Sequence, residues 1–466
     1  MNLKIRSLVL LPVISVILAC RTIFPSLTPQ PTQTSEANHI LDKPSSFHPS
    51  TITPIPSFTP IPPTVSPSPT SSPVFTSLPT ATTIPLKTQL SIFEHLWSIV
   101  NDTYVYPDFN GLDWEAIHEQ YRRIISAGLT NQQFYDRINE LVWRLGDDHS
   151  YFLDPQQVAE QEAEYQGNHD YVGIGVQVSA VPDRQRAVIL AVFPGSPAET
   201  AGLQPRDSIL SAGDIPILDE QGYLRDIVRG PEGTPVDITV QTPGEEPRQL
   251  SIVRQRITGN YPVGHQVIDT PDGKRIGYIF LLTFMDGTVD EQVAQALTEM
   301  TADAPLDGLI LDNRMNGGGS SLVLEPMLGF FSGGNLGYFV RRSELSPLKI
   351  NLNDINGSST VPLVVLVGSG TASFGEVFAG ILKDIGRADI IGTSTGGNVE
   401  ILWGYDFEDG SALWLANETF RPLNHPEQNW EQTGIIPDLS VTGEFDEFSM
   451  ANDPAVLAAI QYLSDR

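Results

Sequence analysis

The chain has 466 residues, 40% of them hydrophobic, which is enough apolar content for a sizeable core and more than one domain. A formal net charge of −29, from 56 acidic against 27 basic residues, argues against nucleic acid or an anionic membrane as a partner bound through charge. The single cysteine, Cys20, excludes an internal disulfide and a cysteine-based metal site.

The first element, "MNLKIRSLVLLPVISVILAC", sets Lys4 and Arg6 ahead of an apolar run over residues 8–19. A charged stretch followed by a short apolar one is the layout of a secretory signal, and this run is too short to span a bilayer comfortably. With Cys20 directly behind Ile17-Leu18-Ala19, residues 1–20 resemble a bacterial lipoprotein signal, although Leu18 is bulky where that pattern prefers a small residue. The resemblance implies a lipidated Cys20, membrane attachment through it and an extracytoplasmic, cell-surface location; an ordinary cleaved signal is the alternative. Residues 21–86 are rich in Pro, Ser and Thr. Such a tract buries no core, extends as polyproline II and reads as a stalk.

Helical spacing starts near Thr88. Leu90, Phe93, Trp97 and Val100 mark one helix; Trp114, Ile117, Tyr121 and Ile124 a second; Phe134, Ile138, Leu141, Val142 and Leu145 a third, opened by a capping box at Thr130 and Gln133. This small helical region, 87–168, includes "LGDDHSYFLDP". Short strands broken by Gly and Pro follow over 169–257: "GIGVQV", "AVILAV", "PVDITVQT" and "RQLSIVRQ", with a helical patch "YLRDIV" among them. Gly195-Ser196-Pro197-Ala198, Ala201-Gly202-Leu203 and Asp207-Ser208-Ile209-Leu210 make this stretch resemble a PDZ domain, a small β-sandwich. The resemblance implies strand-addition binding of unstructured C-terminal tails, their carboxylate held by the loop Gly173, Ile174, Gly175 and Val176.

Over 258–446 the pattern alternates between strand and helix, so the chain as a whole is α/β, an α+β multidomain protein. "RIGYIFLLTF" and "LDGLILD" flank a helix marked by Val289, Val293, Leu297 and Met300, and "PLVVLVG" reads as a strand buried on both faces. That strand leads straight into "GTASFGEVFAG", where Ser373 precedes a helical run. A strand, a glycine turn and a helix are where open α/β sheets place chemistry. The stretch 341–360, "RRSELSPLKINLNDINGSST", is polar and reads as a surface insertion, and 447–466 as a C-terminal helix.

"LDNRMNGGG" (311–319), "GTASFGEVFAG" (370–380) and "GIIPDLSV" (434–441), in that order behind a PDZ-like domain, resemble the C-terminal-processing, or tail-specific, serine peptidases over about 90–445. The resemblance implies Ser373 as nucleophile, the N–H groups of Gly318 and Phe374 as an oxyanion hole, and Asp312, Arg314, Asn316 and Gly319 as supports of that loop. The chain departs from the best-known branch at Asn398, twenty-five residues after the serine, where that branch carries a lysine base. A tricorn-like branch uses an upstream histidine and a downstream glutamate instead, which here implies His149 as base and Glu431 behind it, with Asp148 and Glu376 competing for the orienting role. No cofactor or metal is expected, because His118, His149, His169, His265 and His425 are scattered without zinc spacing. The reading is a surface-anchored endopeptidase. The alternatives are an inactive binding protein of the same fold that recruits partners through the PDZ domain, and a stalked protein whose α/β part is only a scaffold.

Overall fold

A computed structural model describes residues 83–147, 149–165, 171–342 and 344–466. The expected signal, Cys20 and nearly all of the stalk lie outside the described residues, as do Asp148 and His169. No helix among the described residues is long and apolar enough to cross a membrane.

The three predicted helices form as α1 (Leu86–Thr103), α2 (Trp114–Ser126) and α3 (Asn131–Trp143). The capping box is made: Thr130 Oγ1 accepts from the Gln133 N–H, and the Gln133 side chain accepts from the Thr130 N–H. The apolar faces converge on Phe93, Leu96, Tyr121, Phe134 and Ile138. This region starts slightly ahead of residue 87, since Ile84 joins its core and donates its N–H to Asn131 Oδ1 at 2.8 Å. Behind it come β1 (Tyr151–Leu153) and α4 (Pro155–Tyr165).

The PDZ region contains β2 (Tyr171–Gly173), β3 (Val176–Val181), β4 (Arg186–Val192) and a single turn, α5 (Pro197–Thr200). It continues through β5 (Ser208–Ala212), β6 (Ile215–Pro216), β7 (Pro235–Gln241), β8 (Arg248–Val253) and β9 (Gln255–Ile257). One sheet runs β3-β4-β5-β7-β8 with β6 on β5, and β2 pairs with β9. "YLRDIV" is not a helix. Gly222 at φ +87° stands ahead of it and Pro231 closely behind, too short an interval to nucleate one. The carbonyls of Ile227 and Val228 instead accept from the Arg254 guanidinium, and Leu218 bridges to Leu224.

The peptidase core opens with β10 (His265–Asp269), β11 (Arg275–Phe280), α6 (Val289–Met300) and β12 (Gly308–Asp312). Next are α7 (Ser321–Phe331), β13 (Gly334–Arg341), β14 (Glu344–Ile350), β15 (Leu363–Val367) and α8 (Phe374–Asp384). It closes with β16 (Asp389–Gly392), β17 (Ile401–Asp406), β18 (Ala412–Pro422), one-turn α9 (Trp430–Thr433), β19 (Leu439–Ser440) and α10 (Pro454–Ser464). The central sheet runs β10-β11-β12-β15-β16-β19, parallel throughout except for β10. Side chains alternate between its faces. Ile279, Leu309, Leu311, Val365 and Val367 pack on α6, α7 and α8, whereas Tyr278, Phe280, Ile310, Val364 and Leu366 pack on α10 and on Val188, Leu190 and Phe193 of the PDZ region. Both faces are covered, which is why "PLVVLVG" is apolar without a break.

A second, antiparallel sheet is built around β18. Its N-terminal half lies between β1 and β17, and its C-terminal half pairs with β13, which pairs with β14. The polar stretch read as an insertion therefore contains a strand. β14 buries only Leu348 and Ile350, too few apolar positions to give a periodic signal. β1 belongs to the same sheet, so the helical region and the core are joined by backbone pairing.

Candidate active site

Ser373 sits between β15 and α8 with φ 51° and ψ −129°, a region that L residues enter only under strain. The turn is fixed from three sides. Ser373 N–H donates to Asn398 O at 2.8 Å, Ala372 N–H to Asn316 O at 3.0 Å, and Thr371 Oγ1 to Asn313 O at 2.8 Å. The serine is half-buried, and its hydroxyl has no hydrogen-bond partner among the described residues. The glycine loop lies directly against it: a Cβ on Gly318 (φ +90°) would come 2.7 Å from Ser373 Cβ.

The Phe374 N–H, first of α8, has no acceptor among the described residues and points along the positive end of the helix dipole. The other expected donor is engaged: Gly318 N–H bonds Asn316 Oδ1 at 2.9 Å. Asn316 is thus a closer part of the loop than a support, since its backbone carbonyl also holds Ala372. The Gly319 N–H has no acceptor among the described residues, and its backbone bridges Phe284.

Asp312 and Arg314 brace this loop from below. Asp312 accepts from Tyr278 OH at 2.7 Å and from Arg314 at 2.9 and 2.6 Å. Burial would raise its pKa, but Arg314 and Arg206 hold it lowered. Arg314 continues to Asp453 at 3.1 and 2.7 Å, and Arg206, from the PDZ region, meets the same carboxylate at 2.6 Å and lies over the Phe445 ring. Asp453 in turn caps α10 by accepting from Ala455 N–H.

His149 follows a turn made by Asp147, whose Oδ1 accepts from the N–H groups of His149 and Ser150. Sheet register then decides its neighbours. Ala416 of β18 takes the Val105 N–H on its carbonyl, donates its N–H to Ser150 Oγ and pairs with Leu402 of β17. Three distant segments therefore meet, bringing Tyr106, His149 and Glu400 together. His149 Nδ1 lies 3.2 Å from Glu400 Oε2, and Tyr106 OH donates to Glu400 Oε1 at 2.7 Å. The expected Glu431 is also here, but it bonds to Glu400 and accepts the Val399 N–H at 2.6 Å. Burial, and then the hydrogen bond and charge of Glu400, push the Glu431 carboxyl up to about 8. Glu400 is raised as well, chiefly by burial. No hydrogen bond joins His149 to the Ser373 hydroxyl among the described residues; they connect through Glu400, Glu431, Val399 and Asn398 O.

Other contenders have different work. Glu376 is wholly buried and accepts the Gly397 N–H at 2.9 Å, bracing the loop ahead of Asn398. Lys383, the first lysine after the serine, sits near the far end of α8, bonded to Asp438 at 2.8 Å. His118, His265 and His425 each pair with a separate carboxylate: Glu94, Glu299 and Asp384. Glu400, Tyr106, Arg206 and Asp453 were missed by sequence reasoning. Glu400 stands two residues beyond Asn398, but no local spacing marks it as a partner of residue 149. In the PDZ region, the carbonyls of Ile174 and Gly175 accept from Ala198 and Phe193, while their own N–H groups have no acceptor among the described residues.

A strained serine at a strand-to-helix turn, an open N–H beside it and a partly buried histidine against the buried Glu400 carboxyl are the residue types that serine hydrolysis uses. The description "Peptidase family S41" matches residues 275–441, "Tricorn protease C1 domain" 85–143 and "PDZ domain" 188–242. A carboxyl-terminal-processing protease of Synechocystis sp. is 31% identical over 368 residues, 77% of this chain and 82% of that protein. The chloroplastic carboxyl-terminal-processing peptidase 2 of Arabidopsis thaliana is 28% identical over 365 residues, 76% of this chain and 69% of that protein. Among solved structures, a photosystem II D1 C-terminal processing protease superposes with a TM-score of 0.54 at 27% identity, over 76% of this chain and 93% of that one. The chain belongs to the carboxyl-terminal-processing serine peptidases of family S41.

Proposed function

We propose that this peptidase is anchored outside the cytoplasm through Cys20 and cuts unstructured polypeptides whose C-terminal tails its PDZ domain receives. The observation that carries the catalytic part is Ser373, held in a strained turn with the Phe374 N–H open beside it. Ser373 Oγ attacks the scissile carbonyl carbon as its proton passes to His149 Nε2, once substrate binding brings the imidazole within reach of the hydroxyl, Nδ1 being turned to a carboxylate. The oxyanion faces the Phe374 N–H, joined by Gly318 N–H once Asn316 Oδ1 releases it. The imidazolium then protonates the departing amine. Water, deprotonated by the same histidine, cleaves the acyl-enzyme and returns Ser373. The free N–H groups of Ile174 and Gly175 support a carboxylate cradle in the PDZ domain.

The test is labelling of the full chain by an alkyl fluorophosphonate, together with cleavage of an unfolded test protein. Ser373→Ala abolishes both and His149→Ala loses nearly as much; the double variant is scarcely worse, because the pair acts as a unit. Labelling that survives Ser373→Ala refutes the nucleophile. Cys20→Ser releases the protein from the membrane fraction; a membrane-bound variant with its signal cleaved refutes the anchor.

A further inference from the structure

We propose that Glu400 is the carboxylate that orients His149, and that Glu431 works beside it as a neutral acid that donates to Glu400. The inference rests on Ser373 and His149 acting as nucleophile and base.

The geometry separates the two carboxyls. Glu400 presents one oxygen to His149 Nδ1 at 3.2 Å and the other to Tyr106 OH at 2.7 Å, with its side chain only 2% exposed. Glu431 faces Glu400 and the backbone, taking the Val399 N–H. Two adjacent carboxyls, Glu400 buried and Glu431 half-buried, cannot both ionise cheaply, so one of them keeps a proton. Glu400 is the better anion, because a phenol and its own partner carboxyl donate to it and the nascent imidazolium lies alongside. Burial and the nearby Glu400 charge push the Tyr106 phenol far up, so it remains a donor throughout the working range. The proton therefore rests on Glu431, in keeping with its upward shift to about 8. Among the described residues, the cluster also holds Asp147, which faces Glu400, and Tyr104, which bonds Asp147.

Glu431 has a second mechanical consequence. Its bond to Val399 N–H fixes the residue next to Asn398, whose carbonyl holds the Ser373 N–H. Deprotonation of Glu431 removes the donor to Glu400 and sets two like charges side by side, which disturbs both the histidine and the serine. Activity should then fall on the alkaline side, with an apparent pKa that belongs to the coupled group rather than to one residue.

The experiment compares kcat, KM and the pH profile of fluorophosphonate labelling for wild type, Glu400→Gln and Glu431→Gln. Glu400→Gln should lose roughly ten-thousandfold in kcat with little change in KM, as expected when the orienting carboxylate of a histidine becomes an amide. Glu431→Gln retains an N–H donor in place of the acid. It should lose about tenfold or less at neutral pH and lose the alkaline limb, which a purely structural glutamate would not govern. If Glu431→Gln loses as much as Glu400→Gln, or if the Glu400→Gln profile matches wild type, the assignment is overturned. A wild type that never labels at Ser373 overturns the peptidase reading of the site instead, so the two failures are distinct. Should Glu400→Gln no longer melt cooperatively, Tyr106→Phe replaces it. Loss of the phenol donor should then lower kcat about tenfold and move the alkaline limb, and an unchanged profile counts against the proposal.

Discussion

Replacing Arg206 by alanine should weaken the whole enzyme although the residue lies in the PDZ region. Its guanidinium donates to Asp453 at 2.6 Å and to Phe448 O at 3.1 Å, lies 3.8 Å from Asp312, and covers the Phe445 ring at 4.2 Å. The side chain is 6% exposed. Without it, two buried carboxylates face one cation, Arg314. Breaking a buried pair by removing one partner costs about 3–5 kcal/mol, and the surviving Arg314 contacts place this case at about 3. In a domain of this size that corresponds to a fall of about 6–12 °C in Tm. Arg314 carries the disturbance to the Asn316 loop, so labelling of Ser373 should also slow, by about tenfold for a sub-ångström shift at its hydroxyl. Arg206→Met keeps the apolar stem and separates charge from packing. Thermal unfolding followed by circular dichroism reads stability and the fluorophosphonate rate reads the site. A Tm within a degree of wild type together with an unchanged rate refutes the coupling.

Melting should depend on pH through Glu431. The folded chain keeps this proton up to about 8, whereas the unfolded chain releases it in the ordinary carboxyl range. Stability from this group is therefore fully present at low pH and is lost as pH rises toward 8; Glu431→Gln should flatten that slope in Tm, and an identical slope in both proteins rejects the assignment. Peptides ending in a free carboxylate should bind the full chain more tightly than their C-terminal amides, measured by calorimetry on the Ser373→Ala variant to prevent cleavage. Equal affinity of acid and amide removes the carboxylate cradle at Ile174 and Gly175.

The elements that the sequence announced are those with a local period. The capping box at Thr130, the three amphipathic helices, the buried strand before Ser373 and the glycine turn are all set by neighbours within about four positions, where helix and strand periodicity act. Weak local signals misled. "YLRDIV" has helical spacing but lies between a left-handed glycine and a proline, and Arg254 takes its carbonyls. β14 has almost no apolar period, because it gains its place by pairing with β13.

By itself, the sequence determined which residue types stand at the turn after β15 and that lysine is missing at position 398. Only the tertiary structure decided what His149 meets. β1 joins β18, β17 pairs on the other side of β18, and Ala416 ties Val105 and Ser150 to the same point. That register places Glu400, rather than Glu431, against the imidazole, and leaves Glu431, in α9, bonded to the Val399 N–H beside the Asn398 carbonyl that holds Ser373. The physical reason is range. Hydrogen bonds between strands some 250 residues apart carry no signature in local spacing, and the protonation of two touching carboxyls depends on burial that exists only once those strands have met.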